Sequence, residues 1–287
     1  MSRSNLARLL VSCPDREGIV AALANALAES GANITSSDQF SSDPLGGSFS
    51  LRMEFYVPEP ETRFPLLEQR LSEIGKQLDL EYKLVDAHVR KRVAIFVSKY
   101  DHCLIDLLGR WHRGDLDMDI VMVISNHPDL AVEAARFGVP YHHIPVTKES
   151  KAQAEAAQLE LLRKHGGADL VVMARYMQVL SADFLANVGA PVINIHHSFL
   201  PAFAGADPYK RAHHRGVKLI GATAHYATED LDEGPIIEQD VVRVSHREDA
   251  IALERIGADV ERLVLARAVE RHLQDRVLLQ GHRTIVF

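Results

Sequence analysis

Between Asn194 and Phe203 the chain reads NIHHSFLPAF, which sets an amide, two imidazoles and a hydroxyl at the end of an apolar run, PVI. Asn194 and His196 are two residues apart, and on a strand that spacing puts both on one face, able to converge on a single oxygen. A neutral amide donor and an imidazole aimed at a carbonyl oxygen stabilise the negative charge that builds there when a nucleophile adds. His197 is expected on the opposite face, in a supporting or structural place. Ser198 lacks a surrounding G-x-S-x-G elbow, which argues against an acyl-enzyme. Further on, GATAHYATEDLDEGP places His225 on a second strand, as a supporting group or a plain edge-strand histidine. The strand is followed by an acidic loop with Glu229, Asp230, Asp232 and Glu233, and a carboxylate there can orient water and assist its proton transfers.

The elements that must hold these groups are legible from periodicity. RVAIFVS, DIVMVISN, DLVVMAR and PVINIHH are apolar runs separated by amphipathic segments, the pattern of a mostly parallel α/β sheet. In such a sheet the carboxyl ends of the strands open into a crevice, and NIHH lies at such an end. CLIDLLGRWHRG, LAVEAARFG and ESKAQAEAAQLELLRKHG are the predicted helices, and a long amphipathic helix interrupted at Gly257 closes the chain. Ahead of this region LARLLVS, IVAALANALAESG, ANITSSDQF, SFSLRMEFYV, RFPLLEQRLSEIGKQL and LEYKLVDA give the order β-α-β-β-α-β, a small antiparallel sheet with two helices on one face. The charged stretch HVRKRV marks the boundary. The expected division is residues 1–87, a linker over 88–92, and a second domain over 93–287.

Composition narrows the function. The 287 residues carry a formal net charge of −7 with no long basic block, which disfavours nucleic acid and anionic membranes as partners. No run of about 18 apolar residues occurs, and no signal-peptide core follows the N-terminus, so a cytoplasmic protein is expected. Cys13 and Cys103 stand apart without CxxC spacing. Fifteen histidines include three adjacent pairs, yet neighbours on a strand face opposite ways and no HExxH or spaced Cys/His set accompanies them, so no metal is expected. No G-x-G-x-x-G follows a strand, so no nicotinamide cofactor is expected either.

NIHHSFLPAFAG followed by LDEGP resembles the formyltransferase fold, a Rossmann-like α/β architecture, over roughly residues 91–286. CPDREGIV with ESGANI resembles an ACT domain, a ferredoxin-like module, over about residues 6–87. The two together, with the doubled histidine and GATAHY, look like the formyltetrahydrofolate deformylase family. The resemblance implies hydrolysis of 10-formyltetrahydrofolate to formate and tetrahydrofolate, which balances one-carbon units and supplies formate for purine synthesis. It implies Asn194, His196 and Asp232 as catalytic residues, and no cofactor, since the folate is consumed as substrate. The pterin is expected near Met177, Gln178, Val179 and Leu180 and the loop from Thr228 through Glu229, Asp230 and Leu231 to Asp232, with His225 beside it. Arg175 would pair with the folate's glutamate carboxylate or cap its strand. In the ACT module Asp15, Gly18 and Asn33 take ligand or interface roles, with an amino-acid effector and pairing into a homo-oligomer, or serve only as a turn. FAGADPY carries Asp207 where such deformylases tend to have a basic or neutral residue.

Two alternatives are a formyltransferase using an amine acceptor and a non-catalytic amino-acid sensor. A transferase acting on a ribonucleotide needs a glycine-rich phosphate cradle after its first strand, whereas the loop here is SKYDHCLIDLL, without glycine. Water is therefore the expected acceptor. A sensor would have no need of the Asn194, His196 and Asp232 set.

Overall fold

A computed structural model describes residues 5–43, 45–201 and 208–287, so Asp207 lies outside the described residues. The chain divides into two compact units.

The first unit runs β1 (Leu6–Pro14), α1 (Ile19–Glu29), β2 (Asn33–Ser41), β3 (Ser48–Tyr56), α2 (Pro60–Leu78) and β4 (Glu81–Asp86), the expected βαββαβ order. Its sheet is antiparallel in the order β2-β3-β1-β4. Strand β1 alternates strictly between buried and half-buried residues, so Ala7, Leu9, Val11 and Cys13 enter a core with Leu23 and Leu27 of α1 and Leu67 and Leu71 of α2. The sequence reading keeps everything from residue 93 to 287 in one domain. Here Gln274–Gln280 and Ile285–Phe287 group with the first unit. The physical reason is charge: Arg8 donates to Asp275 at 3.0 Å, and buried Arg52 donates through Nε and Nη2 to the Gln274 carbonyl at 3.2 and 3.0 Å.

The second unit, Lys91–Leu273 with Gly281–Thr284, contains β5 (Lys91–Val97), α3 (His102–Arg113), β6 (Met118–Ser125), α4 (Ala131–Arg136), β7 (Tyr141–His143), α5 (Lys151–Lys164), β8 (Leu170–Met173), α6 (Ala182–Asn187), β9 (Val192–His196), α7 (Pro208–Arg215), β10 (Leu219–Tyr226), β11 (Ile236–Arg243) and α8 (Ala250–Leu273). A short sheet of β12 (Val277–Gln280) and β13 (Arg283–Val286) follows; neither strand is legible from the sequence pattern. The main sheet has the order β11-β10-β9-β8-β5-β6-β7. Strands β9, β8, β5, β6 and β7 are parallel, while β10 runs against both β9 and β11. Val93 to Val97 and Leu170 to Val172 are all buried, as strands covered on both faces must be. Strand order reverses between β5 and β8, which is where an open sheet forms its crevice.

Helix α8 runs through Gly257 without the expected interruption. Glycine is required there for a different reason: a Cβ would lie 2.0 Å from the Tyr209 hydroxyl, so the aromatic ring packs directly on the helix backbone. No helix among the described residues is long and apolar enough to cross a membrane. Both cysteines are unpaired and buried.

Candidate active site

The cross-strand register of the second unit builds the site. Strand β9 opposes β10 so that Asn194 faces His225 and His196 faces Thr223. The first pairing brings the Asn194 amide nitrogen to 3.2 Å from His225 Nε2. His225 Nδ1 lies 3.0 Å from the Tyr226 carbonyl, which can only accept, so Nδ1 carries the hydrogen and Nε2 accepts from Asn194. This orients the amide and leaves its second N–H to serve another acceptor. His225 is buried at the centre of a β9–β10–β11 triplet and is not an edge-strand residue. Burial pushes its pKa down, in keeping with the neutral ring that this hydrogen bonding requires.

The acidic loop after β10 supplies Asp232. Gly234 makes the turn possible: a Cβ there would lie 1.7 Å from the Tyr226 carbonyl oxygen, so any side chain would push the loop away from His225. Asp232, at φ 60°, is one of six non-glycine residues with positive φ among the described residues. Two others, Arg175 and Met177, line the same cavity, a concentration of backbone strain typical of functional sites. Asp232 Oδ1 accepts from His196 Nδ1 at 3.1 Å and lies 3.9 Å from His225 Nε2. Burial pushes the Asp232 carboxyl up, but the His196 hydrogen bond, with the electrostatic pull of the surrounding imidazoles, outweighs it, and the carboxyl sits below its usual range. His196 Nε2 is buried without a hydrogen-bond partner among the described residues. That leaves an imidazole tied at one nitrogen to an ionised carboxylate, with the other nitrogen unused.

These groups line a cavity of about 550 Å³. It takes in Asn194, His196, His225 and Asp232, and also Arg175, Met177, Gln178, Val179, Leu180, Thr228, Asp230 and Leu231. Glu229 does not line it and is exposed on the loop. Met177, Val179 and Leu231 are about half or more exposed at its rim, where apolar side chains suit a flat heteroaromatic ring. His197 departs from expectation. Strand β9 ends at His196, so the alternation of faces ends with it, and the two rings lie 5.2 Å apart on the wall of one cavity. Burial, then the neighbouring Arg175 charge, hold His197 down to about 4, so it is neutral near pH 7. Sequence reasoning also missed Tyr100, Tyr209 and Glu254, which come from a loop and two helices with no motif to flag them.

In the first unit, Asp15 occupies the loop between β1 and α1 and pairs through its carboxylate with the Ser41 hydroxyl. Gly18 caps α1 at φ 88°, a conformation that favours glycine. Asn33 opens β2 and is exposed.

Comparison with known proteins agrees with this architecture. The sequence profile of the family described as formyl transferase matches residues 91–269, and that of the ACT domain matches residues 7–75. Formyltetrahydrofolate deformylase of Mycobacterium tuberculosis is 55% identical over 99% of this chain and 91% of its own length. The Bacillus subtilis protein of the same name is 51% identical over 98% of this chain and 93% of its own. Among solved structures, formyltetrahydrofolate deformylase from Burkholderia mallei superposes with a TM-score of 0.91 at 46% identity, covering 99% of both chains.

Proposed function

The chain belongs to the formyltetrahydrofolate deformylase family, which makes it a hydrolase of 10-formyltetrahydrofolate, and we propose that Asn194, His196 and Asp232 carry the reaction. The observation behind this assignment is the His196 Nδ1 to Asp232 contact of 3.1 Å, with Nε2 buried and unpartnered in the cavity wall. A carboxylate that accepts from Nδ1 holds the ring in the tautomer whose Nε2 can take a proton. Water adds to the formyl carbon as His196 Nε2 takes its proton, and the carbonyl oxygen, now negative, accepts from the free N–H of Asn194. The imidazolium, held by Asp232, then returns its proton to the folate nitrogen as the C–N bond breaks. Tetrahydrofolate and formic acid result, and the acid ionises to formate.

The pterin lies against Met177 to Leu180 and the Thr228 to Asp232 loop, with Glu229 outside the contact surface. No metal takes part in this scheme. The candidate donor cluster among the described residues, His102, Cys103 and Glu261, has the Arg175 guanidinium 3.4 Å from the Glu261 carboxylate, a placement that repels a cation. In the first unit the β1–α1 loop, with Asp15 and Gly18, takes an amino-acid effector, and the space around Gly18 is open. Strand β2 is an edge strand with Ile34 and Phe40 exposed, a surface suited to pairing with a second copy through Asn33 and its neighbours. Two unpaired buried cysteines suit a reducing compartment, and we place the enzyme in the cytosol, where its formate serves purine synthesis.

The test is formate release from 10-formyltetrahydrofolate in the absence of any amine. The wild-type chain is expected to release formate and His196→Ala to lose about a hundredfold or more of the rate. A wild-type chain that acts only when an amine is added is a transferase.

A further inference from the structure

The cavity holds a cation that the hydrolysis does not use. Arg175 is 5% exposed, lines the cavity wall, and takes a left-handed backbone conformation at φ 63° just beyond β8. Its guanidinium carbon lies 4.6 Å from the centre of the Tyr100 ring. The nearest carboxylate is Glu261, with Oε2 at 3.4 Å from Arg175 Nε. That carboxylate is already engaged, because His102 Nε2 approaches Oε2 at 2.8 Å and the Tyr209 hydroxyl donates to Oε1 at 2.6 Å. Arg175 is left poorly served: neither Nε nor Nη1 has a hydrogen-bond partner among the described residues. Buried N–H groups of a charged side chain are rarely left so, since each lost hydrogen bond carries a desolvation cost. The strained backbone adds to that cost.

The reaction itself produces a group of the matching kind. A neutral formamide enters, and a carboxylate anion is formed beside Asp232, with Asp230 and Glu254 also on the walls. Like charges repel it from that side. A guanidinium presents planar paired donors that fit a carboxylate, and the ring of His197, neutral and next to His196, lies within the electrostatic reach of Arg175.

We propose that Arg175 is a carboxylate subsite that receives the formate product from the His196 centre, its orphaned N–H groups holding the anion before release. The proposal rests on the hydrolytic reading above. Formate is favoured over the glutamate carboxylates of the folate because Arg175 is 5% exposed in the cavity wall, an access that suits a very small anion.

The experiment is a titration of the full chain with ¹³C-formate, free of folate, followed by NMR line broadening. The wild-type chain is expected to bind formate, and Arg175→Met to bind it about tenfold or more weakly. Asp232→Asn, which loses turnover, is expected to bind formate at least as tightly as wild type, because a repelling charge is gone. Glu261→Gln, which removes the competing carboxylate while keeping its shape, is expected to tighten binding and tests the proposal even where Arg175→Met does not fold. Equal affinity in wild type and Arg175→Met, or no wild-type binding, overturns the proposal. So does a variant that raises KM for the glutamate-bearing folate, but not for the analogue lacking glutamate, and leaves formate affinity unchanged; the arginine would then serve the folate tail. A wild-type chain that binds formate through Arg175 but releases none from 10-formyltetrahydrofolate would overturn the hydrolytic reading and leave an anion site standing.

Discussion

The second unit contains two histidine–carboxylate pairs that look alike as contacts and differ in what is left over. His196 and Asp232 meet at 3.1 Å, and His102 and Glu261 at 2.8 Å, with both carboxylates almost wholly shielded from solvent. In both, burial pushes the carboxyl up, and the histidine hydrogen bond leads the opposing interactions that bring it below its usual range. The Glu261 carboxylate is saturated: both its oxygens accept, and the Tyr209 hydroxyl that donates to one of them is driven to a higher pKa by burial and by that same carboxylate. The Asp232 pair is unsaturated on its imidazole side, since His196 Nε2 has no hydrogen-bond partner among the described residues. The pairing alone does not mark catalysis, because the same contact serves as a structural clasp at Glu261. The unpartnered Nε2 is what sets the Asp232 pair apart.

The sharpest way to break this distinction is activity. Asp232→Asn is expected to reduce formate release by about a hundredfold or more, and Glu261→Gln by less than about tenfold. Equal losses would erase the contrast. Stability should order the two the other way. Replacing Glu261 by Leu leaves Arg175 buried without its carboxylate and is expected to cost about 3 to 5 kcal/mol in urea unfolding, whereas Asp232→Asn keeps an acceptor for His196 and should change stability by less than about 1 kcal/mol. Acid follows from the same shifts. A carboxyl whose folded pKa is depressed binds fewer protons folded than unfolded, so its contribution is complete above the unfolded value near about 4 and disappears as pH falls through the folded one. Unfolding midpoints of the wild type should therefore drop on acidification below about pH 4, and Glu261→Gln should flatten that drop. The smallest effect concerns His197. Being neutral until about pH 4, it contributes no ionisation near pH 6 to 7, so His197→Asn should leave the acid limb of the rate profile in place, whatever it does to the rate itself.

That Asn194 and His196 share one strand was legible from local spacing, whereas Asp232 was set apart from the other acids of its loop by the family resemblance alone. Two residues apart on a strand means one face, and LDEGP announces a turn whose glycine the Tyr226 carbonyl demands. The βαββαβ order was legible for the same reason, from alternation in β1 and β3 and helical spacing in α1 and α2. What escaped is what depends on distant partners. Glu261, Tyr209 and His102 lie on α8, α7 and α3, and nothing in their local sequences says that they meet. Gly257 was misread because a helical glycine signals a break only where nothing needs to approach the backbone closely. His197 was misplaced because periodicity predicts faces only while the strand lasts.

The way the first unit is completed sets an order of events during synthesis. Arg8 and Arg52 lie in strands made well before the Asp275 carboxylate and Gln274 carbonyl that complete their pairing, which follow only after all of Lys91–Leu273. A nascent chain holding residues 5–90 has the apolar core of the unit and the Glu54 carboxylate, which lies 3.0 Å from Arg8 Nε and 3.1 Å from Arg52 Nη2, but not the acceptors at Gln274 and Asp275. The N-terminal module is thus completed last, and residues 5–90 cut loose from the later segment would form a sheet whose buried Arg52 keeps Glu54 but loses the Gln274 carbonyl.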